Sequence, residues 1–244
     1  MSRRSLFAPF VIHATWYSGQ STPSGSHMNF AAARKAMVDC QVRPNDVTDH
    51  ALLHRLEAVP KEDFLPSGLK NLAYVETELT LGPGRAVLTA RDFSKLLQAA
   101  GPKPTDLVLD LAVGGGYSTA ILAGLAGMVV AVEEDEKLVA NAEEALAKHE
   151  ISNAAVITGA PANGAGDQGP FDVIFIGGVI EEAPAGLVEQ LKDGGRLAAI
   201  LHKDGVSRGV VFTRANDVVS SKAYFVSSAR GVIPGFEKET GFVF

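Results

Sequence analysis

The segment at residues 107–126 constrains the fold of this chain more than any other. An apolar strand pattern ends in Asp110, three consecutive glycines occupy positions 114–116, and a helix-like run follows. Twenty-three residues after Asp110, a second apolar strand pattern ends in Glu133. In α/β folds, a glycine-rich turn lets the backbone approach an adenosine-bearing cofactor, and an acid at the end of the next strand accepts hydrogen bonds from ribose hydroxyls. The segment therefore predicts an α/β sheet that holds such a cofactor at its strand ends.

The spacing within the loop narrows the choice of cofactor. The dinucleotide pattern Gly-x-Gly-x-x-Gly is absent. The sequence instead reads Asp110-x-Ala112-x-Gly114-x-Gly116, one substitution away from the acid-x-Gly-x-Gly-x-Gly loop of S-adenosylmethionine (SAM) methyltransferases. Together with Glu133, this loop predicts a SAM site. The alternative is an ordinary glycine-rich turn between a strand and a helix.

Three side chains near the loop have predicted roles. Glu133 is expected to accept hydrogen bonds from two ribose hydroxyls, each a charge-assisted bond of about 1.5–3 kcal/mol. Asp110 is expected to orient the loop near the methionyl amino group of the cofactor, with a loop-anchoring role as the alternative. Tyr117 is expected to pack over the cofactor or, alternatively, to face the core.

Composition excludes several other classes of protein. At 244 residues, of which 46% are hydrophobic, the chain can form one large globular domain. A net charge of −6 argues against nucleic acid as a partner, and no apolar run approaches the roughly 18 residues of a membrane span. The single cysteine, Cys40, is predicted to lie in the core and favours a reducing, cytoplasmic location. The six histidines contain no ligand cluster, so no metal site is expected.

The chain divides into a leader and one domain. Residues 1–27 are rich in Ser, Gly and Pro in their second half, and we expect them to be a disordered leader or an expression tag outside the fold. Residues 28–244 are expected to form a single domain. Within it, residues 28–100 would be a helical and loop portion, and residues 101–244 would be the SAM-binding portion.

The rhythm of strands and helices predicts a doubly wound parallel sheet of the Rossmann-like type, with a helical N-terminal subdomain. The predicted strands lie at 107–111, 128–132, 154–158, 171–176 and 196–201. The predicted helices begin at Ala31 and at residues 49, 91, 117, 135 and 183. Thr48 is the predicted N-cap of the second helix. The last helix is predicted to run to residue 192 and to be ended by Gly194-Gly195. Patches at 209–213 and 223–226 predict an antiparallel hairpin at the sheet edge, and residues 59–84 are predicted to have little regular structure.

Further segments, spread over residues 28–244, carry a family resemblance. They are Met37-Val38-Asp39-Cys40-Gln41-Val42-Arg43, Val59-Pro60-Lys61-Glu62-Asp63-Phe64-Leu65-Pro66, Ala73-Tyr74, Leu81-Gly82-Pro83-Gly84, Phe171-Asp172-Val173-Ile174 and Leu191-Lys192-Asp193-Gly194-Gly195-Arg196-Leu197. Together with the loop, they resemble the protein-L-isoaspartate (D-aspartate) O-methyltransferase family. The resemblance implies a SAM-dependent carboxyl O-methyltransferase that repairs isoaspartyl residues in damaged peptides or proteins.

The sequence departs from the family pattern at functional positions. After Gly84 the family usually has Gln-Thr-Ile-Ser-Gln-Pro, which lines its isoaspartyl pocket, and this chain has Arg85-Ala86-Val87-Leu88-Thr89-Ala90. The first loop glycine is Ala112, and a Gly-Asp-Gly at the adenine edge has become Gly159-Ala160-Pro161. The resemblance places Arg85, Leu88 and Thr89 in the candidate substrate pocket and Ala160 in the cofactor site. No residue is assigned as certainly catalytic.

The substitution at Leu88 bears on activity. A leucine offers no hydrogen-bond donor to a carboxylate, so we expect isoaspartyl methylation to be slow even where SAM binds. Two alternatives to a repair enzyme stay open. One is a SAM-dependent enzyme that methylates another acceptor, and the other is a non-catalytic protein that has kept the fold. The oligomeric state is left open as well.

Overall fold

The computed structural model describes residues 28–82, 84–216 and 218–238. The predicted leader, residues 1–27, lies outside the described residues. The α-helices are α1 (Phe30–Met37), α2 (His50–Ala58), α3 (Ala90–Ala100), α4 (Tyr117–Ala123), α5 (Glu136–Lys148) and α6 (Ala185–Val188). The β-strands are β1 (Leu79–Gly82), β2 (Arg85–Val87), β3 (Leu107–Leu111), β4 (Met128–Glu133), β5 (Ala154–Thr158), β6 (Phe171–Ile180), β7 (Leu191–Lys203), β8 (Val206–Ala215) and β9 (Val218–Ser227).

The larger sheet confirms the predicted doubly wound fold. Its strand order is β5-β4-β3-β6-β7-β8-β9, with parallel pairs from β5 to β7. Strands β3 and β4 are neighbours, and Asp110 pairs in register with Ala131. The C-terminal ends of the two strands therefore meet at one edge of the sheet, where open α/β sheets bind their ligands.

The core covers both faces of the parallel strands. Successive side chains of a strand point to opposite faces, and on β3 the fully buried Val108 and Leu109 belong to two separate apolar clusters. Residues of α2 to α5 complete the first cluster, and residues of α6 belong to the second. Each large side chain buried in this way contributes about 1.5–3 kcal/mol, so the strands that carry the loop are held from both sides.

The N-terminal portion is helical, as predicted, with one shifted boundary. Helix α1 continues into a π-helical turn at Val38–Val42 and a 3-10 turn at Arg43–Asn45. Helix α2 is capped by Asp49, whose Oδ1 accepts from the backbone N–H of Leu52 at 3.0 Å, and not by Thr48. A carboxylate is a good cap because it also favours the positive end of the helix dipole. The prediction that Cys40 lies in the core is wrong, because it is exposed.

The prediction that residues 59–84 have little regular structure is wrong for residues 79–82, which form strand β1. Two 3-10 helices, Lys61–Phe64 and Ser67–Leu72, are followed by β1, which pairs antiparallel with β2. The alternation of apolar and polar residues in Leu79-Thr80-Leu81 is a hairpin signal that could have identified this strand. The hairpin matters because β2 leads directly into the candidate substrate segment.

The predicted helix at 183–192 is reduced to the single turn of α6. The carbonyl of Gln190 accepts from the backbone N–H of Phe171, and the Arg214 guanidinium binds the carbonyls of Glu189 and Leu191. These long-range partners bind the backbone carbonyls of residues 189–191 and hold the chain on the path that enters β7 at Leu191. Gly194-Gly195 therefore lies inside a strand and does not end a helix.

The predicted antiparallel edge is confirmed, and its strands are longer than the sequence patches. Strand β8 pairs antiparallel with both β7 and β9. In the described part of the chain, no helix combines the length and the apolar character that a membrane crossing requires.

Candidate active site

Glu133 lies at the C-terminal end of β4 and is fully buried. Its carboxylate accepts hydrogen bonds from four donors. Oε1 accepts from Arg85 Nε at 3.0 Å, from the backbone N–H of Glu134 at 2.9 Å and from that of Asp135 at 3.2 Å. Oε2 accepts from the backbone N–H of Gly114 at 2.9 Å. The acid thus connects the glycine-rich loop, the start of α5 and the hairpin.

Asp110, next to the end of β3, is also fully buried. Its Oδ2 accepts from the hydroxyls of Ser118 and Thr119 at 2.7 Å each, and its Oδ1 has no hydrogen-bond partner among the described residues. Burial, together with the nearby Glu133 charge and opposed in part by these two hydroxyls, raises the pKa of Asp110 to about 7. The residue therefore anchors the first turn of α4, and one buried acceptor atom remains available.

The loop between β3 and α4 owes its shape to backbone angles that favour glycine. Gly114 and Gly116 have φ values of +56° and +88°, in the left-handed region. Ala112 takes a φ of +59° at the position where the family has its first glycine. A Cβ on Gly115 would lie 2.1 Å from the carbonyl oxygen of Phe64, so only glycine allows this close approach. Ala112 therefore adopts a backbone angle that favours glycine, and the loop has three residues in the left-handed region.

Tyr117 begins α4 and is buried. Its ring centroid lies 6.0 Å from that of Phe64 and 5.5 Å from that of Phe93, and burial raises the pKa of its hydroxyl above the ordinary value. Lys61, another buried residue that the sequence did not single out, has its Nζ 5.7 Å from the centroid of the same ring. Tyr117 therefore faces an aromatic core, and part of it lines the cavity described next.

A cavity of about 40 Å³ separates the loop from the hairpin. This volume is far below the roughly 300–1,000 Å³ of typical ligand pockets. Leu81 of β1 packs closely against the loop. A Cβ atom added to Gly114 would lie only 2.6 Å from Leu81 Cδ1. The described lining residues are Phe64, Leu81, Arg85, Ala86, Val87, Leu88, Phe93, Ala112, Val113, Gly114, Gly115, Tyr117, Ser118 and Gly177.

The candidate substrate residues do not all reach this cavity. Arg85 and Leu88 line it and are both buried. Thr89 is the N-cap of α3, and its Oγ1 accepts from the backbone N–H of Asp92 at 3.2 Å. Ala160 follows β5 and is half-buried, next to Gly159, whose backbone N–H donates to the Glu133 carbonyl at 3.0 Å. Sequence reasoning found Arg85 and Leu88 but missed Leu81 and Phe64, which the fold brings from elsewhere in the chain.

The residues present fit a SAM molecule in chemical terms. The unpartnered Oδ1 of Asp110 is a buried acceptor suited to an ammonium group, and the carboxylate of Glu133 is suited to a ribose diol. The glycine backbone between them leaves room that side chains would fill. The Arg85 guanidinium, however, forms an ion pair with the Glu133 carboxylate, and the hairpin lies close to the loop.

Sequence comparison settles the family. The family described as protein-L-isoaspartate(D-aspartate) O-methyltransferase matches residues 32–227. The chain belongs to this family. A protein-L-isoaspartate O-methyltransferase of Koribacter versatilis is 33% identical over 168 residues, 69% of this chain and 76% of the relative. One from Opitutus terrae is 34% identical over 196 residues, 80% of this chain and 82% of the relative.

Solved structures of the family share the fold. One protein-L-isoaspartate O-methyltransferase superposes with a TM-score of 0.73 at 19% identity, covering 84% of this chain and 67% of that one. A Plasmodium falciparum relative, solved with S-adenosyl-L-homocysteine (SAH), gives a TM-score of 0.69 at 17% identity and covers 82% of this chain and 97% of that one. The chain is a SAM-dependent methyltransferase of this family, and its cofactor is SAM.

Proposed function

We propose that this protein transfers the methyl group of SAM to isoaspartyl carboxylates in damaged proteins, and that the reaction takes place between the glycine-rich loop and the hairpin. The observation that carries the site assignment is the position of Glu133. It is fully buried at the end of β4, 2.9 Å from the Gly114 amide, as a ribose-binding acid beside a cofactor loop should be. Family membership supports the choice of reaction.

Several residues would hold the cofactor. Glu133 would accept from the ribose hydroxyls, and Asp110 Oδ1 would accept from the methionyl ammonium group. Ala112, Gly114, Gly116 and Tyr117 would form the loop and helix start beside it, and Ala160 would lie at its adenine edge. SAM supplies an electrophilic methyl group when bound.

The remaining tasks belong to the protein. An acceptor carboxylate is already ionised at neutral pH, so no general base is required. The protein has to hold the carboxylate in line with the methyl group and exclude water. Leu81, Leu88 and Tyr117 give the cavity apolar surface for the second task. A donor for the carboxylate is needed for the first, and Leu88 provides none.

A second candidate function rests on this missing donor. A SAM-dependent enzyme with Leu88 in its pocket would favour an acceptor less strongly hydrated than an isoaspartyl carboxylate. Methyl transfer from radiolabelled SAM to an isoaspartyl peptide, to the same peptide with normal aspartate and to small carboxylic acids separates the two. Transfer confined to the isoaspartyl peptide supports repair. Transfer confined to another acceptor supports the second candidate, and absence of SAH binding by calorimetry would indicate a non-catalytic protein.

We also propose that residues 28–244 form one domain with portions 28–100 and 101–244, and that residues 1–27 are a leader that folding does not require. Support comes from one apolar cluster that contains Leu52 and Leu96 together with Val129 and Phe175. A variant that begins at Met28 should have an unchanged melting temperature, whereas a fall of several degrees would contradict the proposal. A cytoplasmic location is supported by the single cysteine, and cell fractionation would test it.

A further inference from the structure

Arg85 is a buried cation whose position the family reaction does not explain. It lies in β2, and its side chain is 8% exposed. Its Nε donates to Glu133 Oε1 at 3.0 Å, and its Nη2 lies 3.6 Å from Glu134 Oε2. The family usually has glutamine at this position. This chain therefore has a positive charge, where the family pattern has a neutral side chain, bound to the acid expected to receive the cofactor.

The Glu133 carboxylate cannot serve both partners at once. A carboxylate offers about four lone-pair positions, and Glu133 already accepts from four donor groups. Three of the donors are backbone amides of the loop and the α5 start, which belong to the scaffold. Arg85 is the one side-chain donor among them, so it is the partner that a ribose hydroxyl would displace.

The displaced guanidinium would stay in the same cavity. Arg85 and Leu88 both line it, three positions apart in sequence. Among the described residues that line the cavity, Arg85 alone carries a charge. This cation lies on the same short segment in which Leu88 stands at the position of the family's pocket serine, and an arginine can bind a carboxylate through two parallel hydrogen bonds.

We propose that Arg85 exchanges partners during the reaction cycle. It pairs with Glu133 in the absence of cofactor, and it pairs with the acceptor carboxylate once the cofactor ribose has taken Glu133. This inference rests on the proposed function and deepens it by naming the acceptor-binding residue. Two consequences follow. Removal of the guanidinium should favour cofactor binding, and acceptor binding should require bound cofactor.

The first test is calorimetric titration of the full chain with SAH. Arg85→Gln, which restores the residue the family usually has, should bind SAH about tenfold more tightly than the unmodified protein, because the competing ion pair is gone. Arg208→Gln is the matched control, since it removes the same charge from an exposed position on β8 and should bind SAH as the unmodified protein does.

The second test is titration with an isoaspartyl peptide. The unmodified protein should bind the peptide when saturated with SAH and should not bind it measurably without SAH. Arg85→Gln saturated with SAH should bind the peptide roughly ten- to a hundredfold more weakly, the equivalent of one lost hydrogen bond to a charged group. The dependence of the unmodified protein on SAH is a test that holds even where Arg85→Gln fails to fold.

Each outcome bears on the proposal. Weaker or unchanged SAH binding by Arg85→Gln would overturn the exchange and would make Arg85 a support for Glu133. Tighter SAH binding with unchanged peptide binding would overturn the second half, in which Arg85 binds the acceptor. Absence of SAH binding in the unmodified protein and in Arg85→Gln would instead overturn the proposed function itself, and the exchange with it.

Discussion

The two walls of the cavity differ in how far they follow the family pattern. The loop wall, residues 110–117 with Glu133, keeps both acids, the left-handed backbone and the close approach of Gly115 to Phe64. The hairpin wall, residues 79–89, has Arg85 and Leu88 where the family resemblance implies a glutamine and a serine. In the proposed function, the loop wall would bind the cofactor and the hairpin wall would bind the acceptor.

This difference shows where the chain had freedom to change. Each acid of the loop wall is tied to the scaffold, Glu133 by three backbone amides and Asp110 by the first turn of α4. A substitution there would disturb folding as well as binding. The hairpin side chains mainly face the cavity, so their exchange alters ligand chemistry and leaves the parallel sheet intact.

The largest effect is expected for Glu133→Ala on the loop wall. It removes the acceptor of three backbone amides and leaves Arg85 without its buried partner, so it should lower the free energy of unfolding by about 3–5 kcal/mol. SAH binding should weaken at least about tenfold. Urea unfolding and calorimetry measure the two effects. Glu134→Ala, at a side chain 60% exposed, is the control and should change stability by less than about 0.5 kcal/mol.

Asp110 should make the stability of the loop wall depend on pH. Its pKa is about 7 in the folded protein, above the ordinary value of about 4, so the folded state binds its proton more tightly than the unfolded state. The contribution is fully present below about pH 4 and is lost as the pH rises to about 7, at up to about 1.4 kcal/mol per unit. Asp110→Asn should remove this slope in urea unfolding series. Exposed Asp167→Asn should retain it, and equal slopes in both variants would contradict the assignment.

Leu88→Ser tests whether Arg85 has replaced the serine of the hairpin wall. In an Arg85→Gln background, the new hydroxyl should raise kcat/KM for an isoaspartyl peptide by roughly ten- to a hundredfold. In the unmodified background, where Arg85 already serves the carboxylate, the gain should be under about threefold. Equal gains in both backgrounds would show that the two positions act independently.

A substitution at Thr89 tests whether the hairpin wall includes this residue in substrate binding. Because its Oγ1 caps α3, Thr89→Ala should lower the free energy of unfolding by about 1 kcal/mol. Thr89→Ser, which keeps the capping oxygen, should leave stability nearly unchanged. The KM for the peptide should be the same in both variants, and a large rise in KM for Thr89→Ala would return this residue to the substrate pocket.

The smallest effect is expected at Ala112. Its φ of +59° costs about 1–2 kcal/mol for an alanine, and glycine removes this cost while gaining some freedom in the unfolded chain. Ala112→Gly should therefore stabilise the protein by about 0.5–1 kcal/mol. Ala215→Gly in strand β8 should destabilise it instead. Thermal unfolding distinguishes the two signs.

Much of the fold was predictable because its signals are local. The positions of β3, β4, β5 and α5 follow from short apolar patterns that repeat with the period of a strand or a helix. The predictions failed where distant residues compete for the backbone. The helix expected at 183–192 is reduced to α6, and Arg214 and Phe171, distant in the sequence, bind the backbone that leads from it into β7. The hairpin at 79–87 was missed because its turn residues read as a loop.

By itself, the sequence determined the parallel sheet, the glycine-rich loop and the acid at the end of β4, since these depend on residues within about one strand–helix unit of each other. Tertiary structure decided which groups bind the carboxylates of Asp110 and Glu133 and how deeply they are buried. Arg85 reaches Glu133 across 48 residues of chain, and the burial that raises the pKa of Asp110 comes from elements on every side. Spacing along the chain fixes which groups are present. Only packing, which sets distance and exclusion of water, fixes their partners and their charge.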